Sequence, residues 1–136
     1  MDARRVDEVV SGFDAATLPP ERLDHRAHLV VALAYVRRHG AAVETPFKQA
    51  LGRYLDAQAG GRGAYHETIT LAWLRLVAAF AEEVAALPLA EAAQRLCERY
   101  ADKHALAVHY SRQRLMSDEA RARWVAPDVE ALPGAR

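Results

Sequence analysis

His25-Arg26-Ala27-His28 places two imidazoles three residues apart. On a helix that spacing puts both on one face, with Cβ atoms about 5–6 Å apart, so both rings can reach one ion or one ligand. A second feature, Tyr65-His66-Glu67-Thr68-Ile69-Thr70, adds a histidine and a carboxylate. Neutral imidazole with a carboxylate suits a divalent transition metal such as Zn, Fe, Ni or Cu, whereas a thiolate site would need clustered cysteines. Helix bundles build such centres from side chains on facing helices. The expected ligands are therefore His25, His28, His66 and Glu67, with His109 able to complete the set from the far side. Consecutive residues on a helix diverge by about 100°, so Glu67 is either a ligand at the helix mouth or a general base. An open coordination position would activate water or dioxygen, or polarise a substrate oxygen. Tyr65 and Tyr110 join Glu67 as expected catalytic groups. Thr68, Trp73, Ser111 and Arg114 are expected to touch a small polar substrate; among Arg112, Arg114, Arg121 and Arg123, which read first as a solvated face, one turned inward could grip a carboxylate in bidentate fashion. The pattern is not HExxH, because Thr70 stands where the second histidine would be.

Two other readings compete. In the first, the same histidines and Glu67 form a metal-free pocket, acting as acid, base and hydrogen-bond partners for a small ligand. In the second, the chain is a helical interaction module with Trp73 and Trp124 as anchors. A plainer alternative runs beneath all of these. Histidines at helical spacing on an apolar face are often core residues whose ring nitrogens are satisfied by protein.

The elements that must position these residues read as helices throughout. Ala, Leu, Arg and Glu dominate, and no stretch alternates cleanly at period two. Helix 1 is expected over 3–13, with Val6, Val9, Val10 and Phe13 as its apolar stripe. Helix 2 begins between Glu21 and Asp24 and ends at His39, before Gly40. Helix 3 starts with Thr45 as cap and Pro46 at its first position. Gly60-Gly61-Arg62-Gly63 is a flexible loop leading to a long fourth helix that reaches Pro88. Its stripe of His66, Ile69, Thr70, Trp73, Val77, Phe80 and Val84 carries the histidine on the buried face. Helix 5 covers about 89–101. The period leaves 104–110 open between helix and irregular turn, so His104 has no fixed place. Ser117 caps a short helix through Trp124, and residues 126–136 form an extended tail. The expected fold is all-α, a single domain over 1–136 with five main helices and a short C-terminal one.

Composition narrows the setting. Lys+Arg and Asp+Glu balance at 18 each, which gives no field for nucleic acid or an anionic membrane. Cys97 is the single cysteine, as expected in a reducing cytoplasm. The segment 71–87 is alanine-rich enough to pack against a copy of itself, so a homodimer is a further expectation.

Taken together, these residues resemble an uncharacterised family of small bacterial all-helical proteins. Its pattern is H-x-x-H-L, then Y-H-E-T-[IL]-T, then Y-S, S-x-x-A-R and a closing P-D. The matching residues are His25, His28 and Leu29, Tyr65 through Thr70, Tyr110-Ser111, Ser117, Ala120, Arg121 and Pro127-Asp128. The resemblance implies that they belong to one site and names no reaction.

Overall fold

Asp2 opens the first helix: its side chain accepts a hydrogen bond from the Arg5 amide, one of the amides a helix start leaves without a partner. The computed structural model describes residues 1–134 and is an all-α bundle of seven helices, five of them long. Helix α1 spans Ala3–Asp14, α2 His25–His39, α3 Glu44–Gln58, α4 Glu67–Glu83, α5 Leu89–Arg99, α6 Arg112–Leu115 and α7 Asp118–Ala122. Short 3-10 turns occupy Pro20–Arg22, Gly40–Ala42 and Ala105–Val108. The described residues contain no strand, and no helix among them is long and apolar enough to cross a membrane.

The hub is α2. It packs against α1, α3, α4 and α5, and every residue from Leu29 to Val36 is buried. A surface helix shows an apolar stripe; a helix surrounded on all sides is apolar all round. Asp24 caps it through the Ala27 amide, and Gly40, at φ 57°, turns the chain out in the left-handed region glycine adopts freely.

Helix α4 is also covered on two sides, by different partners. One face, including Leu74, Val77 and Phe80, joins the main core formed with α1, α2, α3 and α5. The other, Ala72 and Leu76, packs under the C-terminal segment, where Leu106, Tyr110, Ala120, Val125 and Leu132 form a second apolar cluster.

Several boundaries differ from the sequence expectation. Thr45 is not the cap of α3, because the 3-10 turn at Gly40–Ala42 feeds straight into the helix through Val43, already in a right-handed helical conformation. Pro46 still sits in the first turn, where its missing N–H leaves nothing unsatisfied. Helix α4 stops at Glu83, short of Pro88, and the Arg37 guanidinium donates to the Val84 carbonyl just beyond its end. His66 lies outside the helix as its N-cap instead of inside it on the stripe. Helix α5 ends at Arg99, the 104–110 stretch contains a 3-10 turn, and α6 is an additional short helix that sequence periodicity did not suggest. Ser117 does cap α7. Of the expected tail, residues 135–136 lie outside the described residues.

Candidate functional site

Helices α3 and α4 both pack on α2 but barely meet each other. The gap between them is a cavity of about 500 Å³. Helix α2 contributes His25, His28, Leu29 and Ala32, and α3 contributes Phe47, Leu51, Tyr54 and Leu55. Helix α4 adds Ile69, Thr70, Trp73, Leu74 and Val77, while Ala59, Ala64, Tyr65 and His66 close the wall from the connecting loop. Among the described residues, no Asp, Glu, Lys or Arg lines this space.

The structure thus brings His25, His28, Tyr65, His66 and Trp73 to one cavity. Their ring nitrogens are not equally available. His25 donates from Nε2 to the Tyr100 carbonyl at 2.7 Å and rests edge-on against Trp73, with ring centroids 5.3 Å apart. His28 donates from Nδ1 to the Asp24 carbonyl at 2.9 Å. Its surface is open, cavity wall included, yet the surrounding protein opposes a charge on the ring. That desolvation and the neighbouring His25 lower its pKa, against a smaller upward pull from Asp24. His66 has both nitrogens engaged. Nδ1 accepts from the Ile69 amide at 3.1 Å and Nε2 donates to the Leu115 carbonyl at 2.8 Å.

Glu67 sits behind the wall. Lys48 Nζ lies 2.8 Å from its carboxylate and the Tyr65 hydroxyl donates to it. Burial pushes the Glu67 carboxyl up, but the two donors outweigh burial and hold its pKa below the ordinary value. Burial and the Glu67 carboxylate together push the Tyr65 hydroxyl up, so it stays protonated. Among the described residues, no group of three or more His, Cys, Asp and Glu side chains is placed to hold a metal ion.

The remaining expected site residues lie on the opposite side of α4, in and around the second apolar cluster. Thr68 Oγ1 donates to the Arg123 carbonyl at 2.9 Å and accepts from the Val125 amide at 3.1 Å. The Tyr110 hydroxyl donates to the Val125 carbonyl at 2.7 Å, and burial pushes its pKa up to about 12. His109 Nδ1 donates to the Glu130 carbonyl at 3.0 Å. Ser111 donates from its amide and its hydroxyl to Asp128, at 2.8 and 2.6 Å, and Arg114 Nε donates to the Ala126 carbonyl at 2.6 Å. The two Thr68 bonds tie the C-terminal segment to α4, and the others hold that segment's own turns together.

Sequence reasoning missed the α3 wall and the lysine that neutralises Glu67. The α3 stripe of Phe47, Leu51, Tyr54 and Leu55 was visible at helical spacing. Spacing alone does not tell a packed stripe from one facing empty space. Set against models of protein families, curated proteins and solved structures, the chain matches none.

Proposed function

We propose that this protein binds a small, largely apolar, uncharged molecule in the cavity between α2, α3 and α4, with His25 and His28 at its polar end. The observation that carries this reading is the lining itself. A space of about 500 Å³ is walled by Phe, Leu, Ile, Val and Trp, contains no permanently charged side chain, and includes two imidazoles each with one nitrogen lacking a protein partner among the described residues. Ligand sites are of this kind, apolar pockets with a few polar groups that fix orientation. At protein packing density the space accommodates roughly 20 non-hydrogen atoms. Desolvation by the surrounding protein holds the His28 pKa down, so its open ring is a neutral proton acceptor near neutral pH and can also serve as a general base toward a bound guest.

The chain has two tryptophans, and Trp73 is the one in the cavity wall. In the Trp124→Phe variant, bromonaphthalene should quench Trp73 emission saturably with one-to-one stoichiometry. Quenching that stays linear with concentration would remove the cavity as a binding site.

A metal-dependent reading rests on the same pair of imidazoles. Their spacing suits a shared Zn, Fe, Ni or Cu ion, with further ligands from solvent or substrate. His66 would join only by releasing the Leu115 carbonyl or the Ile69 amide. Elemental analysis of untagged protein beside His28→Ala decides it: stoichiometric metal that disappears in the variant supports the ion, and none in either returns the site to the metal-free form.

A further inference from the structure

Which nitrogen carries the proton is fixed at His25 and at His28. A carbonyl oxygen only accepts, so the nitrogen facing it must be the N–H. His25 Nε2 faces the Tyr100 carbonyl and His28 Nδ1 faces the Asp24 carbonyl. A neutral imidazole has one N–H, which leaves His25 Nδ1 and His28 Nε2 as acceptors. His25 is half-buried, and no buried side-chain nitrogen or oxygen among the described residues is left unpaired, so its Nδ1 is reachable from open space.

The hydroxyls of the same wall have spent their protons. Tyr54 donates to the Leu18 carbonyl, Tyr65 to Glu67 and Thr70 to the His66 carbonyl. Against these acceptors stands one side-chain donor of the lining without a protein acceptor among the described residues, the indole N–H of the half-buried Trp73. From this imbalance, and resting on the cavity reading above, we infer that the guest's polar end is a neutral hydrogen-bond donor: a hydroxyl or amino group on a hydrocarbon or aromatic body. A ketone, ether or ester offers no proton to either imidazole nitrogen and can pair only with the Trp73 N–H. A carboxylate also brings a charge that nothing in the lining offsets, and burying an uncompensated charge is far costlier than burying a neutral polar group.

The test holds the hydrocarbon body constant and changes the head. Naphthol, naphthylamine, methoxynaphthalene and naphthoate are titrated by calorimetry at pH 8, where His28 is neutral. Naphthol and naphthylamine should bind at least tenfold more tightly than methoxynaphthalene, with naphthoate weakest. In His28→Phe, which keeps an aromatic ring but removes the acceptor, the gap between naphthol and methoxynaphthalene should shrink several-fold. Equal binding of all three neutral compounds would overturn the donor rule and leave the cavity reading intact. An unchanged gap in His28→Phe would overturn the role given to that acceptor. Failure of every member to bind would overturn both.

Discussion

His28 couples the cavity to pH at the scale of a single ring. Its pKa is lowered on folding, so between the ordinary value near 6.5 and the folded value the unfolded chain binds a proton that the folded chain does not. Stability from this group is complete above about pH 7 and falls as pH drops through that window, the direction linkage requires. Asp24 and His25 are the titratable neighbours that act on it. Replacing His28 by Gln should flatten the decline in urea midpoint between pH 7.5 and 5.5; a decline of unchanged slope would place its origin elsewhere. His66 teaches a complementary point about legibility. Its spacing from Ile69, Thr70 and Trp73 correctly indicated burial, but spacing cannot show where a ring's protons go. The Leu115 carbonyl that takes up its Nε2 proton lies 49 residues away. Partners at that separation are invisible to any local pattern.

At the scale of elements, the apolar stripe of α1 was readable because it obeys the 3.6-residue period. The apolar run of α4 was readable too, although its meaning was not: it is apolar on two faces because the segment from 104 onward covers the second. Thr68 is the fastening point of that cover, fully buried and bonded to both Arg123 and Val125. Thr68→Val keeps the shape and removes both bonds, stranding the Val125 amide and the Arg123 carbonyl. Such losses cost about 1–3 kcal/mol each when the group stays buried. Chemical denaturation should therefore show a loss of about 2–3 kcal/mol, with Thr68→Ser losing clearly less. A valine variant as stable as the wild type would mean that the cover holds by apolar packing alone. Tyr110, Ser111, Arg114 and Asp128 instead brace the cover internally, through Val125, Ala126 and one another. Tyr110, Ser111 and Arg114 were expected at one site with the histidines, and the fold sets them on the other side of one helix.

For the whole molecule, the cavity is space that a fully packed bundle would fill. Empty volume lowers stability by about 24 cal/mol per Å³ where the surroundings cannot collapse. Ala32 lines the cavity from the most buried helix. Leucine there would occupy part of the gap, so Ala32→Leu should gain about 1 kcal/mol while weakening naphthol binding at least tenfold. Thermal unfolding and calorimetry on one sample read both, and a variant that gains stability without losing affinity would separate the cavity from binding. The all-α class and the count of main helices followed from composition and period. The cavity did not, because a void depends on how three helices splay around α2, and no single stripe records that angle.

His66 belongs at once to the cavity wall and, through Leu115, to the cover on the far side of α4. The imidazole is a rivet through the thickness of the protein. A displacement of the wall that carries this ring along is expected to reach the backbone where α6 ends through that single bond, and Leu115 is where a response on the far side would first be felt.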